Sequence, residues 1–220
     1  MSIIGSSGAF RGLRSFVTRG GRGARRGTFT PLAAVLIVVV AAALGIGSAW
    51  WAIDSDVSLE RVTVGVWTSW PTAGQDHADP YLQARLARSG ELVMSRAEGA
   101  SLTAHTDESG EPLLATCTYE IAGRIPGAQW WTLTVYREED LSLMRTPAER
   151  TSFRSDLVLR NRDDSILVTM SPRARPGNWL PVDPDAGEVR LVLRLYDTPI
   201  ATGGKLTDVE LPTVERRSCE

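Results

Sequence analysis

The residues best equipped for recognition chemistry lie in one short stretch. Arg173, Arg175, Asn178 and Trp179 fall within the proline- and glycine-rich run SPRARPGNW. A guanidinium fork pairs with a carboxylate or phosphate through two parallel hydrogen bonds. An amide both donates and accepts, and an indole offers a flat apolar face with one N–H. Together they make a reader for a sugar or a carboxylate. Asp183 nearby supplies the acid that a hydrolytic or carbohydrate-processing site on this loop would need. The competing reading is structural: Trp179 closes one end of a folded domain and the arginines stay in water.

Other reactive groups are sparse. His77 and His105 are the only histidines, and no Ser-His-Asp or Cys-His order and no GxSxG elbow can be assembled around them. His77 stands beside Asp76 and Asp79 in a loop, and His105 lies at a strand end. Glu138-Glu139-Asp140, Asp163-Asp164 and Asp183 with Asp185 fall at turns, where short polar side chains serve the backbone. The Asp-Pro-Asp context of Asp183 and Asp185 lacks the oxygen-ligand loop of a calcium site, and scattered Cys and His give no zinc spacing. No catalytic residue, metal or cofactor is therefore expected.

Cys117 and Cys219 are the only cysteines. In an oxidising compartment they form a disulfide, tying the carboxyl terminus to a mid-domain strand and closing a loop of about 100 residues. In a reducing one they are two free thiols.

The compartment is argued from Leu32–Ile53, an uncharged run of 22 residues. As a helix it rises about 33 Å, enough to cross a hydrocarbon core of about 30 Å. Residues 1–31 form a Gly/Arg-rich leader with six arginines and no acid, and all 26 acidic residues lie at Asp54 or later. Basic flanks stay on the cytoplasmic side, so the domain after Ile53 is expected outside. Trp50 and Trp51 suit the headgroup level at the far end. Two details compete with a retained anchor. Gly47-Ser48-Ala49 resembles a signal-peptide cleavage site, although leader and apolar run are both long for one; Arg25-Arg26 hints at twin-arginine export. The leader's Arg-Gly pattern also suits nucleic acid, but beside a membrane helix it reads as a patch drawn to anionic lipid. With 18 Lys and Arg against 26 Asp and Glu, the exported part carries net −8 and is no nucleic-acid binder.

Hydropathy then sets the elements. Residues 54–74 form a linker or first strand, with VTVGVWTSW at 62–70 alternating weakly. Asp79-Pro80 opens a short amphipathic helix that stops before Gly90. Period-two runs predict strands over 101–106, 113–122, 129–136, 151–159, 165–171 and 189–196. Arg160-Asn-Arg-Asp-Asp164 reads as the polar loop of a hairpin between the fourth and fifth of these. An exposed Trp130 on the 129–136 strand would be of functional interest. The fold class expected is mainly β: an antiparallel sandwich over 75–220 with one short helix, preceded by a single transmembrane helix.

Three ordered motifs carry a family resemblance: Trp130-Trp-Thr-Leu-Thr-Val-Tyr136, Asn178-Trp-Leu-Pro181 and Leu191-Val-Leu-Arg-Leu-Tyr196, with Asp79-Pro-Tyr81 and Ala84-Arg85 upstream. Over residues 75 to 215 the chain resembles the bacterial family catalogued as domain of unknown function 1214. The frequent companion, domain of unknown function 1254, has no counterpart here, and a membrane anchor takes its place. The resemblance implies a jelly-roll-like sandwich; the family has no settled activity, so no site residue carries over from it. The expectation is an anchored envelope protein, a non-catalytic binding or assembly module whose partner beyond lipid is an envelope protein or a glycan. The alternative is the hydrolase on the Arg173–Trp179 loop.

Overall fold

The computed structural model describes residues 31–54, 61–75, 78–91, 94–95, 97–144, 146, 150–202 and 206–219. The leader arginines, Asp76 and His77 lie outside the described residues. Two compact units divide the chain, residues 1–46 and 47–220. An apolar helix, α1 (Pro31–Asp54), crosses that boundary, and its span Pro31–Ala52 is long and apolar enough to cross a membrane.

The second unit is mainly β. Its elements are β1 (Val62–Val64), β2 (Trp67–Ser69), α2 (Pro80–Ser89), β3 (Gly99–Ala104), β4 (Cys117–Gly123), β5 (Trp130–Arg137), β6 (Ser152–Arg154), β7 (Ile166–Ser171), β8 (Asn178–Pro181), β9 (Val189–Tyr196), α3 (Pro199–Thr202) and β10 (Thr213–Cys219). They form a six-stranded sheet, β1-β2-β3-β9-β5-β6, and a four-stranded sheet, β10-β4-β7-β8. One core lies between them. Leu102, Leu133, Leu191, Leu193 and Leu195 come from the first sheet; Tyr119, Ile121, Val168, Met170, Leu180 and Val214 come from the second. Period-two alternation explains this directly, because every second residue of β4, β5 and β9 is apolar and turned inward.

Helix α2 forms where the sequence signals it. Asp79 caps it, its carboxylate accepting the Tyr81 N–H at 3.3 Å, and Pro80 opens the first turn. Gly90 ends it in the left-handed region (φ 68) and donates its N–H to the Leu86 carbonyl at 3.0 Å. Leu82 is buried, but it stands apart from the main core, as do Ala73, Ala78, Val192 and Ala201.

Three expectations are corrected. The second sheet is mixed, because β8 runs parallel to β7, with Met170 opposite Leu180. Residues 151–171 are no hairpin: β6 pairs with β5 and β7 with β4, leaving a single bridge between Arg160 and Ile166. The reason is packing, since Phe153 lies opposite Leu133 in one sheet while Val168 lies opposite Ile121 in the other. The strand expected from Leu113 begins at Cys117, because a turn closed by the Cys117 N–H to the Leu114 carbonyl (3.1 Å) interrupts it.

Cys117 and Cys219 are bonded as a disulfide across directly paired positions of β4 and β10. Strand β10 is further held by an ion pair from Arg216 to the buried Asp107 (2.8 Å) and by Arg217 against Glu120 (2.7 Å).

Candidate functional site

A cavity of about 270 Å³, open to solvent on one side, lies beside the β1–β3 end of the first sheet. Its walls come from segments far apart in sequence: Val62 and Trp70 near β1 and β2, Leu86 of α2, Met94, and Ile200, Ala201 and Leu206 after β9. Ala73 and Ala100 complete the apolar lining. The polar lining is Ser69, Glu91, Ser101, Thr103 and Thr207, with the indole N–H of Trp70, which is buried and meets no hydrogen-bond partner among the described residues. Two of these hydroxyls are engaged. Ser69 donates to the Ser101 carbonyl at 2.7 Å, and Thr207 donates to the Asp208 carboxylate at 3.2 Å. Ser101 and Thr103, two apart on β3 and therefore on one face of it, use their side-chain oxygens for no hydrogen bond among the described residues. Thr103 is only 2% exposed. An apolar enclosure with a few convergent polar groups is the form of a small-molecule site.

Gly99 opens this wall. A Cβ there would run into the Leu195 carbonyl oxygen and crowd the Met94 methyl at 2.9 Å, so the close approach of β3 to β9 requires glycine.

A charged cluster occupies one end of the same sheet. Arg190 donates to both carboxylate oxygens of Glu138, through Nε at 2.7 Å and through Nη2, and His105 Nδ1 lies 3.1 Å from Glu138 Oε2. Burial raises the Glu138 pKa. Hydrogen bonds from His105 and Arg190, with their charges, outweigh it and bring it down to about 2. Both oxygens of this carboxylate are thus held by neighbours. On the same sheet Arg194 donates to the Tyr136 hydroxyl at 2.9 Å, and Trp130 is 36% exposed with Arg154 5.6 Å from its ring.

The loop singled out in the sequence is placed as follows. Asn178 is buried and its amide is fully used: Nδ2 donates to the carbonyls of Leu159 (2.8 Å) and Leu167 (2.9 Å), and Oδ1 accepts the Leu159 N–H (2.7 Å). The half-buried Trp179 donates its indole N–H to the Ser171 carbonyl at 2.9 Å. Arg173 and Arg175 are exposed. Asp183 caps a short turn, accepting the Asp185 N–H at 3.1 Å. The loop's amide and indole are therefore joined to the scaffold. Among the described residues no group of three or more His, Cys, Asp or Glu is placed to hold a metal.

Sequence reasoning missed the cavity. Its visible signal was the apolar face of α2, whose Leu86 lines it.

Fold and cavity together define a mainly β, two-sheet domain with an apolar pocket on the flank of one sheet. Residues 98–200 match the model of the family described as "Protein of unknown function (DUF1214)". No curated protein matches the chain. The crystal structure of the VPA0106 protein from Vibrio parahaemolyticus is similar at 17% identity and TM-score 0.52, over 63% of this chain and 35% of that one. The crystal structure of an uncharacterized protein from Burkholderia cenocepacia aligns at 17% identity and TM-score 0.40, over 68% of this chain and 46% of that one. This chain thus spans about a third of the first protein and less than half of the second. The first likeness bears on the fold alone.

Proposed function

We propose that this protein is a non-catalytic binding module, anchored by α1 in the cytoplasmic membrane with its β domain outside, and that the cavity beside α2 takes a small, largely apolar ligand. The observation that carries the reading is the cavity itself: about 270 Å³ of apolar-walled space, lined from five separate stretches of chain. The arginine leader and the acid-rich domain support the orientation.

A volume of 150 Å³ holds benzene, so at about 25 Å³ per heavy atom this cavity suits a ligand of roughly ten heavy atoms. The test is 1-fluoronaphthalene added to the full chain in lipid nanodiscs, followed by fluorine NMR. Ala73→Phe in identical discs, with its melting temperature checked, corrects for probe dissolved in lipid. Saturable line broadening that disappears in Ala73→Phe supports the reading. Equal broadening in the two proteins overturns it.

A further inference from the structure

We propose that the cavity selects an uncharged alkyl ligand bearing one ester or hydroxyl oxygen, read by Thr103 and Ser101, and that Glu91 turns away the corresponding acid. This rests on the cavity being the ligand site and adds the chemistry of what fills it.

Leu86, Met94, Ile200 and Leu206 make no polar demands, and an alkyl body satisfies them. The Thr103 hydroxyl does make one. The residue is 2% exposed, it lines the cavity, and its oxygen meets no hydrogen-bond partner among the described residues. A ligand that covers this oxygen without bonding it forfeits the hydrogen bond it would otherwise make to water. Ser101 presents a second unanswered hydroxyl from the same face of β3. A pure hydrocarbon would leave both unpaired. A neutral oxygen accepts from either one and brings no charge into an apolar enclosure.

Charge selects further. Among the described residues, the half-buried Glu91 is the one acidic residue in the lining. It repels a carboxylate ligand that has already lost its water. A cationic ligand would be drawn to Glu91, but its ammonium would have to give up water beside Thr103, where only neutral hydroxyls answer it.

The test uses the full chain in nanodiscs. Octane, methyl octanoate, octanoate and octylamine compete against bound 1-fluoronaphthalene at matched free concentrations. In Thr103→Val, which keeps the shape and removes the hydroxyl, the ratio of ester to octane affinity falls about five- to tenfold, the worth of one hydrogen bond. Thr103→Ser restores it. Octanoate displaces the probe weakly from the wild type and about tenfold better from Glu91→Gln, while the ester is unaffected there. An ester-to-octane ratio unchanged in Thr103→Val and in the Ser101→Ala/Thr103→Val double variant overturns the proposal while leaving the cavity a binding site. Octylamine binding more tightly than the ester also overturns it, since recognition would then belong to Glu91. Failure of the wild type to bind 1-fluoronaphthalene at all removes both readings together.

Discussion

Glu138 shows how much a single side chain can hold at the edge of a sheet. Its carboxylate joins Arg190 of β9 to His105 just beyond β3, with Arg190 only 14% exposed and Glu138 31%. Its pKa is lowered from 4.5 to about 2 in the folded protein, so folding favours the ionised form. The stabilisation is therefore fully present above pH 4.5 and is lost as the pH falls from there through about 2. Taken at face value the shift corresponds to about 3.4 kcal/mol; partial exposure and screening reduce it to about 1–2 kcal/mol. Glu138→Gln is expected to cost that much in urea unfolding at pH 7, and the gap to wild type should shrink steadily as the pH falls from 4.5 through about 2. A gap that stays constant across that range would mean the loss is one of packing and not of charge. The sequence displayed Glu138 only as one of three turn acids. Its partners lie 33 and 52 residues away, a pairing that only the strand order creates. Asn178 teaches the converse lesson. Its residue type suggested a ligand reader, but a buried amide beside a bare strand end is drawn to backbone groups first.

Among the elements, those marked by period or by caps were legible: α2 between Asp79 and Gly90, and the alternating runs of β5 and β9. Pairing was not, because the same alternation fits either sheet and either direction. The 151–171 stretch reads as a hairpin, yet β6 and β7 lie in opposite sheets, and β8 joins β7 in parallel, which no turn signal announces. The cavity was hidden for a related reason: Val62, Met94 and Leu206 carry no common pattern and meet only through the fold. Gly99 is where this assembly is most exposed to change. It sits at the first pair of the β3–β9 ladder, opposite Tyr196, and a methyl group there would meet the Leu195 carbonyl oxygen. Gly99→Ala should therefore part the two strands at the cavity wall. A loss of about 2–3 kcal/mol is expected, of the order that overpacking imposes, together with loss of 1-fluoronaphthalene binding. Gly127→Ala is the matched control, since a Cβ there meets nothing within 4 Å; it should melt within a few degrees of wild type. If both variants melt alike, the close approach at Gly99 has no energetic consequence.

At the scale of the whole molecule, the disulfide and the apolar helix bear on the same question. Cys117 and Cys219 close a loop of 102 residues, and β10 is an edge strand whose attachment to β4 the bond makes permanent. In the chain-entropy model such a loop contributes up to about 4.7 kcal/mol by restricting the unfolded chain. The other holds on β10 are the β4 ladder and the ion pairs of Arg216 and Arg217. Cys219→Ser should therefore leave the native structure in place and lower the unfolding free energy by about 2–4 kcal/mol. A bond of this kind persists where the compartment is oxidising, which is where the proposed orientation of α1 puts the β domain. Alkylating whole cells with a membrane-permeant maleimide, then denaturing, alkylating again with or without reductant, and counting labelled cysteines by mass, tests location and bond at once. The expected result is no label on Cys117 or Cys219 without reductant and two labels with it. Labelling of the exposed Cys219 without reductant would place the domain in a reducing compartment. The arginine leader would then have to be read as something other than an orientation signal.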